Sequence, residues 1–202
     1  MPPRYDSLKN KTDMIKDIVK QTRSYRSFDE SRRISREELV ELVDTARLTA
    51  STRNMQPLKY RLVYTPEECN TMLSLTGWAA GLKGIKMPPE GHAPTAYIVI
   101  CCDMTLVDNH IPFLRDTGIV AQTIMLSATE LGLGGCMIGS FNAERVSEAL
   151  SISESIKPLL VLGLGKPDET VILVESEDGK TAYWRDENAH YTPKRKLEDV
   201  IL

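Results

Sequence analysis

Several kinds of chemistry are closed to this 202-residue chain by what it lacks. Its four cysteines, Cys69, Cys101, Cys102 and Cys136, show neither metal-ligand spacing nor a Cys-x-x-Cys pair, which argues against a zinc site and against dithiol redox work. Cys101 and Cys102 close an apolar run, where a free cysteine behaves as a small hydrophobe. Reduced thiols throughout point to a cytoplasmic protein. The three histidines, His92, His110 and His190, are scattered, and no catalytic triad, carboxylate pair or metal cluster can be assembled around them. A net charge of −3 gives no electrostatic reason to expect nucleic acid or an anionic membrane as partner. No apolar stretch approaches a membrane span, and the opening MPPRYDSLKNK lacks the apolar core of a secretion signal. The expectation is a soluble intracellular protein. There are no repeats, low-complexity tracts or linkers, and the length suits one domain, 1–202, with a proper core.

What is present reads as mixed helix and strand. Met14, Ile15, Ile18 and Val19 share a face at helical spacing, predicting a helix from Thr12 to Thr22. Ser35 and Glu38 form a capping box for a helix that buries Leu39, Leu42, Val43 and Ala46. Lys59 to Thr65 alternates as a strand, and Pro66 opens a further helix at its first position. The β-branched run Thr95 to Cys102 predicts a strand buried on both faces, and Ile156 to Gly165 a second apolar strand. Asp108 to Gly132 predicts a long helix, apolar or small nearly all round from Gly118, which belongs in a core or a large interface. Val171–Val174 and Thr181–Trp184 flank Asp178-Gly179 as a predicted hairpin. Without a regular βαβ rhythm, the pattern favours α+β.

Four segments could carry chemistry. In RSYRSF, Arg23 to Phe28, two arginines around a serine can grip a phosphate; taken alone, a solvated helix end explains them better. In STRNMQP, Ser51 to Pro57, side-chain donors and acceptors cluster as a planar polar ligand would need, although the same residues make ordinary turns. ELGLGGCMIGSF, Glu130 to Phe141, fails the dinucleotide fingerprint: Met137 stands where the third glycine belongs, and the glycines follow a helix. They fit a helix end and a close backbone approach to a ligand. TPKRKLEDV, Thr192 to Val200, is a basic tail or a second phosphate contact.

The order and spacing of these segments, from about Thr22 to Val200, resemble the nitroreductase family. That resemblance implies a central, mostly antiparallel sheet flanked by helices in an intertwined homodimer, with FMN bound between subunits. By the family pattern Arg23, Ser24 and Arg26 contact the flavin, Thr22 stands in place of a usual arginine, and Arg26 lies near N1 and O2 of the ring. Ser51, Thr52 and Asn54 match flavin contacts made from the other subunit, and Leu58 replaces a usual tryptophan. Ile138, Gly139 and Ser140 fall where backbone passes the flavin N5. Either Lys194 or Arg195 matches a basic residue that reaches the phosphate. The implied activity is an FMN-dependent oxidoreductase that works by ping-pong from NADH or NADPH to a small-molecule acceptor such as a nitroaromatic or quinone. Chemistry carried by the cofactor accounts for the missing triad. Gly77 to His92 would border the acceptor site. Other readings stay open: a flavin protein that does not turn over nicotinamide, another flavin reaction such as dehalogenation or flavin breakdown, and an interaction domain without cofactor.

Overall fold

The computed structural model describes residues 14–82 and 84–202. The first helix, α1, runs over 14–21, so the start expected at Thr12 lies outside the described residues. Helix α2, Arg36–Ala46, opens with the expected capping box: Glu38 N–H donates to Ser35 Oγ (3.2 Å), and Ser35 N–H donates to the Glu38 carboxylate (2.9 Å). Strand β2, Leu58–Val63, leads through the Thr65 cap into α3, Pro66–Leu75, with proline in its first turn as expected.

The central sheet joins β1 (Phe28–Asp29), β2, β3 (Ala96–Asp103), β4 (Gly134–Ile138) and β5 (Ile156–Pro167). Its order is β1-β5-β3-β2, with β4 also on β5, and every pairing is antiparallel. Because side chains alternate along a strand, β3 feeds two cores. Ala96, Ile98 and Ile100 pack with Leu39, Leu42 and Ala46 of α2 and with α4 (Leu114–Glu130), while Tyr97, Val99 and Cys101 pack with Cys69 and Met72 of α3 and with Val146 of α5 (Ala143–Ala149). Helices therefore cover both faces, and β3 is buried from Ala96 to Cys102 as its composition predicted. This is the expected α+β architecture.

Two expectations are corrected. The long helix α4 spans Leu114–Glu130, not Asp108 to Gly132. Pro112 lacks an N–H and restricts the residue before it, and Ile111–Phe113 form a separate 3-10 turn. Within this chain α4 buries one side, through Val120, Ala121, Ile124, Met125 and Ala128, while Ile119 remains 42% exposed. At its other end Gly132, at φ +70°, closes a Schellman turn in which Leu133 N–H reaches Ala128 O at 2.8 Å.

The second correction concerns the hairpin. Asp178 and Gly179 do make a tight turn, both at positive φ, but the strands beside it do not pair with each other. β6 (Val171–Glu175) runs parallel to β8 (His190–Lys194), and β7 (Trp184–Arg185) pairs antiparallel with β8 from the other side. The hairpin turn is instead Asp186–Ala189, where the Asp186 carboxylate accepts from Asn188 and Ala189 N–H at 2.8 and 2.9 Å. An aspartate capping its own turn competes well with an Asp-Gly pair.

The glycines of β4 and β5 set the thickness of the sheet. A Cβ on Gly134 would lie 2.6 Å from the Tyr25 ring, on Gly163 2.8 Å from Trp78, and on Gly165 2.7 Å from Phe28. On Gly135 it would meet the Gly163 carbonyl oxygen at 2.4 Å. Among the described residues no helix is long and apolar enough to cross a membrane.

Candidate functional site

The Arg23–Phe28 segment is not a free helix end. Ser24 bridges Gly135 in parallel fashion, and Tyr25 N–H donates to Gly135 O at 2.9 Å, so the segment lies along β4. Tyr25 occupies the space that Gly134 leaves. The Glu169 carboxylate then accepts from Arg26 N–H and, at 3.1 Å, from Ser27 N–H, while its other oxygen pairs with Arg185. With 5% side-chain exposure, Glu169 is a buried anion held by one cation and two backbone donors.

This docking turns Arg23, Ser24 and Arg26 into a cavity of about 330 Å³ whose other walls include α4 (Gln122, Met125), β4 (Met137), Tyr183 just before β7, and β8 (His190, Thr192, Lys194). The Arg26 guanidinium donates to Ser24 O at 3.0 Å, makes a long contact of 3.4 Å with His190 Nε2, and lies over the Tyr183 ring at 5.1 Å. Arg23 donates to Val19 O at 2.7 Å, but its Nε is buried without a hydrogen-bond partner among the described residues. Burial lowers the Arg23 pKa, a sign of a cation short of company. Lys194 lines the cavity and Arg195 does not. Thr22 faces inward, bonded to Ile18 O (2.8 Å) and Thr129 Oγ1 (2.9 Å), so it ties α1 to α4 where an arginine would have offered a charge.

Of the three histidines, His190 is the one that lines this cavity, beside Arg26. It is 3% exposed, and burial first, then the Arg26 and Arg185 charges, push it down to about 4. Its neutral ring can stand beside Arg26 without repelling it. In the unfolded chain the imidazole titrates near its ordinary 6.5, so below that pH the unfolded state binds more protons than the folded one. Folding stability should therefore fall as pH drops from 6.5 to about 4, and His190→Gln should flatten that slope in urea titrations at stepped pH. An unchanged slope would mean His190 is protonated in the fold.

The second polar segment lies elsewhere. Ser51 lines a smaller cavity with Arg47, Gln56, Tyr60 and Asp116, which shares no residue with the first. Ser51 Oγ and Thr52 Oγ1 donate to the Asp116 carboxylate at 2.7 and 2.6 Å, and Thr52 N–H does so at 2.8 Å. Burial opposes ionisation of Asp116, yet the Thr52 and Ser51 donors outweigh it and hold the carboxyl below its ordinary range. Asn54 is exposed and accepts from Gln56 Nε2 at 3.1 Å. The structure thus brings Arg23, Ser24, Arg26 and Lys194 together and leaves Ser51, Thr52 and Asn54 apart from them within one chain.

At the end of β4, Ile138 is buried in the core and offers only backbone, while Gly139 and Ser140 are exposed. A Cβ on Gly139 would meet nothing within 4 Å, so the backbone there is open to a ligand. The 77–92 segment reaches the cavity wall through Gly81 N–H, which donates to Tyr183 Oη at 3.2 Å. No group of His, Cys, Asp and Glu among the described residues could hold a metal. All four thiols are free and buried, and burial raises Cys69 to about 11 and Cys101 to about 12, so neither is a ready nucleophile. Sequence reasoning missed Tyr183, His190 and Glu169. Only the aromatic and charged residues between Glu169 and Tyr191 hinted at them, and no periodicity tied them to Arg26.

A two-faced α+β sheet, with a cavity lined by an Arg-Ser-x-Arg segment and a distant lysine, defines the class of fold and site. The chain belongs to the nitroreductase family, whose model matches residues 19–80 and 105–166, more than half of its length. A protein from Methanothermobacter thermautotrophicus that carries the name NADH dehydrogenase/NAD(P)H nitroreductase is 28% identical over 170 residues, covering 81% of this chain and 82% of its own. The oxygen-insensitive NADPH nitroreductase of Helicobacter acinonychis is 26% identical over 165 residues, covering 67% and 79%. A nitroreductase structure from Exiguobacterium sibiricum, in complex with FMN, superposes with a TM-score of 0.65 at 21% identity, covering 84% and 96%, which shows the shared fold. Glu169, Tyr183, His190 and Lys194 lie beyond the matched residues.

Proposed function

We propose that this chain, as one FMN-binding domain over 1–202, is an oxidoreductase that takes electrons from NADH or NADPH and passes them to a small-molecule acceptor such as a nitroaromatic or quinone. One observation carries the reading: Arg23, Ser24 and Arg26 converge with Lys194, from the far end of the sequence, on one cavity of about 330 Å³. The names of the relatives and the FMN in one of the similar structures support it. The residues fit the cofactor. An orphaned Arg23 Nε calls for an anion, Met125 and Met137 give an apolar wall, and the open side of Gly139 admits a planar edge.

When bound, FMN supplies the two-electron chemistry. Arg23 and Lys194 would hold the phosphate, with Arg195 beyond the cavity. Arg26 would place a fixed charge against negative charge on the pyrimidine edge, an electrostatic contribution that needs no proton transfer. His190 keeps that charge undiluted, because it stays neutral. Nicotinamide and acceptor occupy the same cavity in turn, a ping-pong order. Ser51, Thr52 and Asn54 would serve the site of a second subunit in an intertwined homodimer. The exposed apolar residues of α4, Leu114 and Ile119, with Leu131 just past its end, supply part of such an interface. The buried free thiols favour a reducing, cytoplasmic setting.

The purified protein should be yellow, with about one FMN per subunit, and should bleach anaerobically on addition of NADH or NADPH. A colourless protein that takes up no added FMN would sink the reading; colour without bleaching would leave a flavin protein that does not use nicotinamide. Light scattering should give a dimer, since obligate interfaces of this kind bury upwards of about 2,000 Å².

A further inference from the structure

Asp116 is a carboxylate with 2% exposure on α4, and it makes no ion pair among the described residues. A buried anion without a cation is costly unless donors surround it. Here all three donors come from one loop: Ser51 Oγ, Thr52 N–H and Thr52 Oγ1. Ser51 Oγ accepts in turn from Gln56 N–H at 3.0 Å, which closes the loop on itself. Between these anchors three non-glycine residues hold positive φ: Arg53 at 52°, Asn54 at 53° and Gln56 at 49°. Side chains rarely adopt that region, and such a run persists only where the surroundings over-determine it. The effect is directional. The hydroxyls of Ser51 and Thr52 are spent inward, and Arg53, Asn54 and Gln56 stand exposed.

We propose that Asp116 is the positioning residue of this loop, and that Ser51 and Thr52 are its anchors, so that Arg53, Asn54 and Gln56 are the side chains the loop offers to a ligand. This rests on the reading of the site as an FMN site shared between subunits, and it revises which residues of the loop touch the cofactor. The same helix carries exposed Ile119 three residues on. The loop is thereby fixed to the buried side of α4, next to the exposed side that would meet a second copy. Asp116 touches no ligand itself; it acts through the loop.

The test has two arms. In the flavin-free full-length protein, trypsin should leave the Arg53–Asn54 bond largely intact in the wild type, as read by mass spectrometry. Asp116→Ala should open that bond, with cleavage about tenfold faster. In the second arm, FMN titrated by fluorescence should bind Asp116→Ala at least about tenfold more weakly. Asp116→Asn, which can still accept from Ser51 and Thr52 N–H with one oxygen and donate to Thr52 Oγ1 through its amide, should recover most of both losses. A role in stability alone would not link cleavage, affinity and rescue in this way. Should Asp116→Ala fail to fold, the pair Ser51→Ala and Thr52→Val removes the two hydroxyl contacts from the loop side, leaving the Thr52 N–H, and should shift both results in the same direction. Unchanged cleavage overturns the clasp. Faster cleavage with FMN affinity equal to wild type overturns its connection to the ligand. A wild type that binds no FMN fails the functional reading instead, and the protease arm still decides whether Asp116 holds the loop.

Discussion

Replacing Glu169 with alanine is expected to cost about 3–5 kcal/mol of folding stability, the largest effect of any single substitution considered for this chain. The loss has two sources. Among the described residues, Arg185, with 18% side-chain exposure, would lose its one carboxylate partner and keep the Met87 sulfur, 3.2 Å from its Nη1. The Arg26 and Ser27 N–H groups would lose their acceptor at the same time. Urea unfolding gives the number. Glu169→Gln should fall between alanine and wild type, since an amide oxygen still accepts from the backbone but carries no charge. Combining Glu169→Leu with Arg185→Met should cost less than Glu169→Ala alone, because the stranded charge goes with its partner. Strict additivity in that pair would show that the ion pair is not coupled.

Arg26→Ala should lower the midpoint potential of bound FMN by about 30–65 mV. That is the electrical equivalent of losing a charge-assisted contact of about 1.5–3 kcal/mol in a two-electron couple. The shift arises because a cation at the pyrimidine edge favours the reduced, more negative cofactor over the oxidised one. Reduction by NAD(P)H should slow accordingly, with a smaller change in FMN retention. Arg26→Lys should restore part of the potential, since it keeps the charge and loses the planar fork that meets Ser24 O and stacks on Tyr183. Arg23→Ala should behave differently and weaken both redox states alike, as a phosphate contact would. Spectroelectrochemical titration separates the cases. If Arg26→Ala sheds FMN while its potential stays put, Arg26 is another phosphate clamp.

Much of the architecture was legible because its signals are local. The Ser35–Glu38 box, Pro66 in the first turn of α3 and the run from Ala96 to Cys102 each fix one element through contacts a few residues apart. The errors share a cause. Asp178-Gly179 is a sound turn signal, but a turn does not choose which strands pair, and β6 found β8 beyond β7. In the helix predicted from Asp108, the apolar pattern said where burial was wanted and not where the helix begins; Pro112 decided that. The site divides the same way. Arg23, Ser24 and Arg26 are contiguous and could be read as a unit. Glu169 and His190 reach them across more than a hundred residues, through sheet contacts that no spacing rule encodes. Ser51 and Thr52 could be matched to a family pattern by spacing alone, whereas the buried Asp116 that accepts from them lies 64 residues on from Thr52, in a helix no local signal ties to that loop.

The glycines between β4 and β5 make the sheet's tolerance of mutation one-way. At Gly134, Gly135, Gly163 and Gly165 every possible substitution adds atoms, and each added Cβ collides with a ring or with backbone oxygen. Elsewhere in the core a smaller residue leaves a hole that neighbours can partly fill. Here no smaller residue exists, and the rings of Tyr25, Trp78 and Phe28 are themselves pinned against the sheet. Drift in this seam can therefore proceed only by paired change, a ring shrinking before or as a glycine grows. Because Tyr25 sits between Ser24 and Arg26, the first partner available for such a change lies inside the segment that builds the cavity. The freedom of the sheet to vary and the freedom of the site to vary are, at that point, the same freedom.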